Sequence, residues 1–68
     1  MMKNKIGENA GKIWTVLNDN REMNIKELKT ITKLKEADMY LALGWLSKEN
    51  KVLFWEDEKV LTICLTEN

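Results

Sequence analysis

Apolar residues recur along the first part of the chain at Ile6, Ala10, Ile13, Trp14 and Leu17, spaced by four, three, one and three positions. At about 100° per residue this spacing gathers all five on one side of an α-helix, so a first helix is predicted with that stripe, Trp14 included, against the core. Gly7-Glu8-Asn9-Ala10-Gly11 reads as the start of this helix and the turn-forming cluster Asn18-Asp19-Asn20 as its end. Met23-Asn24-Ile25 has the length of a very short strand. Asn24 and Glu27 then show the N-x-x-E spacing of a capping box, which opens a second helix with Ile25, Leu28 and Ile31 as its apolar positions. The Thr30 to Lys33 region closes that helix near Leu34.

A short turn around Leu34 and Lys35 leads to a third helix that begins with Glu36, Ala37 and Asp38, whose carboxylates favour a helix N-terminus. Met39, Ala42, Leu43 and Leu46 follow the i, i+3, i+4, i+7 rule and form its core stripe. The helix runs to about Glu49, and Asn50 stands where a left-handed residue is wanted, a conformation asparagine tolerates well. The period then changes. Val52-Leu53-Phe54-Trp55 and Val60-Leu61-Thr62-Ile63-Cys64-Leu65 are rich in β-branched, aromatic and aliphatic residues and flank the polar Glu56-Asp57-Glu58-Lys59, which predicts a β-hairpin with those four residues as its turn.

At 68 residues, with no prolines and no linker composition, the chain is read as a single domain over 1–68 with an ordered core of about 6–66. A chain this short buries only about 60% of the surface its unfolded form exposes, so a disulfide, a metal or a partner subunit is the usual supplement. Cys64 is the only cysteine and histidine is absent, which excludes an intrachain disulfide and an ordinary zinc site and leaves the partner subunit. The N-terminal stretch MMKNKIGENAGK lacks an apolar run of signal-peptide length, and no window approaches a membrane span. A cytoplasmic protein is expected, with Cys64 as a small apolar filler on a strand.

Eleven basic residues balance eleven acidic ones. No overall charge draws the chain to polyanions or anionic membranes, so charge matters only where it is concentrated. The middle of the chain is basic, through Lys26, Lys29, Lys33 and Lys35, while the hairpin turn is acidic. Catalysis has little to work with: there is no histidine to serve as a base near neutral pH, and the three glycines, at 7, 11 and 44, form no phosphate loop. No cofactor, no catalytic residue and no metal site are expected; Glu56, Asp57 and Glu58 are read as hydrated carboxylates at a turn.

The order of helix, short strand, helix, tight turn, helix and hairpin resembles the winged helix-turn-helix superfamily. The resemblance is carried by Ile25-x-x-Leu28, Leu34, then Met39, Leu43 and Leu46, and the stretch Leu46-Ser47-Lys48-Glu49-Asn50-Lys51-Val52 leading into the wing. It spans nearly all of residues 6–66, with Asn50 standing where the family commonly has glycine and Lys51 where it has an apolar residue. The implied fold class is α+β, mostly α: a three-helix winged helix-turn-helix with a short strand before the second helix and a C-terminal two-stranded β-hairpin wing. More narrowly, the chain is similar to small stand-alone bacterial winged-helix proteins of unassigned function, which implies dimerisation and no activity.

Winged helices typically lay the third helix in the DNA major groove, but the fold alone does not confer that function. Opposite the core stripe of the third helix lie Ala37, Leu41, Gly44 and Lys48, flanked by Tyr40 and Trp45. Only Lys48 suits phosphate, while Glu36, Asp38 and the acidic wing tip repel it. A helix apolar on two sides is usually buried on two sides, and the mid-helix Gly44 is easier to understand where another backbone approaches. The expectation is therefore a non-catalytic interaction module that self-associates as a homodimer through Ala37, Tyr40, Leu41, Gly44, Trp45, Lys48 and Trp55. Another protein partner shares this surface. The alternative is a DNA-binding transcription regulator with the third helix as reader and Lys26, Lys29, Lys33, Lys35 and Lys48 as phosphate contacts. It is disfavoured; no membrane and no small-molecule substrate are expected.

Overall fold

The first helix, α1 (Met2–Asn20), packs its stripe Ala10, Ile13 and Leu17 into the core. The computed structural model describes residues 2–66, with side chains from Lys5 onward, so Met1, Glu67 and Asn68 of the expected domain lie outside the described residues. Two sequence expectations for this helix are corrected. It already runs through Gly7–Gly11, which is interior and not a start. It ends in Asn18-Asp19-Asn20, as expected; there the Asn20 side-chain amide donates to the Val16 carbonyl at 2.7 Å, and the chain turns at Arg21, whose φ is 66°. Finally, Trp14 is 41% exposed and not a core residue. Asn9 is buried and Val16 half-buried on the other side of Ile13, so the buried arc is rotated away from Trp14 and leaves the indole at its rim.

Strand β1 (Glu22–Asn24) is followed without a gap by α2 (Ile25–Thr32), because Asn24 serves both. Its Oδ1 accepts from the Glu27 N–H at 2.8 Å and its own N–H donates to Glu27 Oε1 at 3.1 Å, a complete capping box. Asn24→Ala should lower stability by about 1 kcal/mol, and thermal unfolding should fall by about 4–8 °C. Leu28 is fully buried, but the expected third core position, Ile31, is exposed and Thr32 is buried in its place. One turn of helix places Thr32 closer in angle to Leu28 than Ile31 is. Its hydroxyl donates to the Leu28 carbonyl at 2.8 Å, so burial leaves no polar atom unpaired. Lys33, at φ 59°, ends the helix.

Helix α3 (Glu36–Lys48) starts where expected and buries Met39, Ala42, Leu43 and Leu46, largely against α1. It closes in a Schellman motif: the Asn50 N–H donates to the Ser47 carbonyl at 3.0 Å and the Lys51 N–H to the Leu46 carbonyl at 2.9 Å, with Asn50 left-handed at φ 58°. Asparagine thus fills the position at which the resemblance expects glycine.

The wing is β2 (Val52–Asp57) and β3 (Val60–Leu65). The expected four-residue turn is corrected to two residues, Glu58 and Lys59, because Asp57 and Val60 already pair. Both turn residues have positive φ, 53° and 69°, the backbone that matches the twist of a two-residue hairpin and that asparagine and glycine adopt most easily. Replacing Glu58-Lys59 by Asn-Gly should raise stability by about 1 kcal/mol, measured by denaturant unfolding.

β1 joins the wing, giving an antiparallel sheet in the order β1-β3-β2. Met23 pairs with Ile63 and Ile63 with Phe54, so these three form a row across the sheet. Met23, Ile63 and Val52 are buried, which identifies this face as the one packed under the helices. The opposite face carries Leu53 and Trp55 of β2 and Thr62 and Cys64 of β3.

Candidate interaction surface

All six α3 residues expected at an interface, Ala37, Tyr40, Leu41, Gly44, Trp45 and Lys48, are solvent-exposed. The core stripe fixes this arrangement, since the helix that buries Met39, Ala42, Leu43 and Leu46 must turn Leu41 and Gly44 outward. Tyr40, Leu41 and Trp45 are 47%, 46% and 36% exposed, three large apolar side chains within two turns of helix. Between them Gly44 leaves a gap: a Cβ built there meets nothing within 4 Å. The open space is shared by Gly7 and Gly11 in α1, but Gly44 stands among three exposed large side chains, Tyr40, Leu41 and Trp45.

The wing adds a second apolar area. Leu53, Phe54 and Trp55 are 53%, 39% and 38% exposed, so β2 is open to solvent on both faces beyond Val52. Trp55 was the only one of these that the residue pattern singled out. It lies on the sheet face away from the helices, whereas Phe54 is the wing residue on the helix side. Alternation along a strand could have marked Phe54, but a four-residue apolar run hides which face is covered.

The lysines Lys26, Lys29, Lys33 and Lys35 are all exposed on and just after α2. They are not part of α3, whose outward side offers Lys48 alone as a cation. Ile31 and Lys26 line an open groove of about 440 Å³ with Asn20, Glu22, Met23, Glu27 and Thr30. Cys64 is a free, half-buried thiol beside a second groove that also contains Leu17 and Arg21. Among the described residues, no cluster of acidic or thiol ligands is placed to hold a metal ion, and no helix is long and apolar enough to cross a membrane.

A second helix capped against a sheet strand, a third helix with an outward face and a two-stranded wing together define a winged helix-turn-helix domain. The chain belongs to the family described as Winged helix-turn-helix domain (DUF2582), whose model matches residues 1–65. It is 37% identical over 70 residues to the uncharacterized protein MJ1608 of Methanocaldococcus jannaschii, with 94% of each chain covered. Its fold is similar to the solution NMR structure of protein BT2368 from Bacteroides thetaiotaomicron, with a TM-score of 0.85 and 37% identity, over 96% of this chain and 79% of that one. These relatives carry no stated activity, so the functional argument rests on the surface.

Proposed function

We propose that this winged helix is a non-catalytic interaction module whose partner is a second copy of itself, bound through the outward side of α3 and the adjoining wing. The observation that carries the reading is the exposed set Tyr40, Leu41 and Trp45 around Gly44. Aromatic and aliphatic side chains of this size, on a helix whose other side is already buried, are the anchors that dominate protein interfaces. Symmetric pairs are the commonest soluble assemblies, and a thin core gains from a second subunit. On the same reading the compartment is the cytoplasm, a reducing setting that suits the free Cys64.

Sedimentation or light scattering over a concentration series tests the proposal. A protein that stays monomeric up to millimolar concentration would remove it. Gly44→Ala adds a sharper reading. Alanine strengthens an isolated helix by about 1 kcal/mol relative to glycine, so on a free face the variant is simply more stable. Where a second backbone approaches Gly44, the same variant self-associates more weakly, and that is the expected result.

One observation favours DNA, the exposed lysines of α2 and the turn after it. Against it stand Glu36 and Asp38 at the start of α3 and Glu56, Asp57 and Glu58 at the wing tip, all placed to repel phosphate. Duplex binding that weakens steeply with added salt would replace the self-association reading by this one.

A further inference from the structure

We propose that two copies of the chain join edge to edge through β2, in antiparallel register centred on Phe54, to form one continuous six-stranded sheet. This deepens the self-association reading and rests on it.

The sheet order places β2 at an edge, with β3 on one side and, among the described residues, no strand on the other. A free edge six residues long, without proline, and with exposed Leu53, Phe54 and Trp55, is a template for another strand. The backbone settles which groups face outward. The Thr66 N–H donates to the Lys51 carbonyl at 2.9 Å, so Lys51 turns its backbone toward β3. Alternation along an antiparallel strand then turns Leu53, Trp55 and Asp57 toward β3 and leaves the N–H and C=O groups of Val52, Phe54 and Glu56 pointing away from it.

A second β2 is a good match for those groups. With Phe54 opposite its own copy, Val52 faces Glu56 of the other chain, and the outward groups of all three residues pair. The side chains follow the same two-fold. Leu53 stands opposite Trp55 of the other copy, an aliphatic-aromatic cross-strand pair on one face. Lys51 stands opposite Asp57, so the two ends of the new ladder carry opposite charges. On the helix side, the apolar row Met23, Ile63, Phe54 continues into Phe54, Ile63 and Met23 of the second chain, and the ring that the helices leave exposed is covered. A shift of the centre to Leu53 or Trp55 keeps the bonding parity but separates Lys51 from Asp57 and shortens the ladder. Charge and bonding therefore select one register.

Amide hydrogen exchange on the full chain, at a concentration where sedimentation shows the dimer, reads the pairing directly. Protection at Phe54 and Glu56 as strong as that at Leu53 and Trp55 is expected. Protection at Leu53 and Trp55 alone, in a protein that is nonetheless dimeric, would overturn the edge pairing and leave self-association through α3 standing. A strictly monomeric protein would overturn both. The charges give a second test: Lys51→Glu should weaken the dimer roughly tenfold, since it sets like charges together at both ends, and adding Asp57→Lys should restore it. A double variant as weak as the single one would overturn the register.

Discussion

If the chain pairs through α3 as proposed, Leu41→Glu should yield a monomer that keeps its helices. Leu41 is 46% exposed in the single chain, so the substitution touches none of the buried core and should change protomer stability by no more than about 0.5 kcal/mol. At an interface the same carboxylate must lose water without gaining a partner, and it does so twice in a symmetric pair. Weakening of about a hundredfold or more is expected, read by sedimentation, with an unchanged far-ultraviolet circular dichroism spectrum. Unfolding temperature should then cease to rise with protein concentration, because only a folded state that binds its own copy is stabilised by mass action. Loss of helix signal instead would show that Leu41 holds the protomer together.

Ile13→Ala should have the largest effect on the fold. Ile13 is fully buried in α1, within the core shared with α3, and its removal leaves a cavity that a small domain cannot easily close. A loss of about 2–5 kcal/mol is expected, a large fraction of what a chain of this size possesses. Trp14→Ala at the next position provides the contrast. Its larger side chain sits at the rim, so the cost should be clearly smaller than that of Ile13→Ala, and the reverse order in denaturant unfolding would contradict the observed rotation of α1.

These two neighbours also show where residue pattern stops being informative. Periodicity locates an apolar arc to within about one residue's rotation, and Ile13 and Trp14 both satisfy it. Which is covered depends on where Asn9 and Val16 pack, a tertiary fact. Ile31 and Thr32 repeat the case: threonine reads as polar, yet with its hydroxyl bonded to the Leu28 carbonyl it is the better-placed core residue. Features governed by local backbone chemistry were legible. The Asn24–Glu27 capping box, the start of α3 at Glu36 and the left-handed Asn50 all appear as read, since each depends on residues a few positions apart. The outward face of α3 was legible for the same reason, as the complement of a clear core stripe. The edge position of β2 was not, because strand order depends on pairing between segments distant in the chain.

Sheet order has a bearing on how large an assembly can become. β1 spans three residues and β2 six, so the sheet has one edge long enough to bind a strand and one that is not. Joining two copies across β2 consumes the long edge of each and leaves only the two short ones outside. An open-ended fibre needs a fresh binding edge after every addition, and here none remains. Under the proposed pairing, the short strand before α2 would act as a stop, and assembly would halt at two.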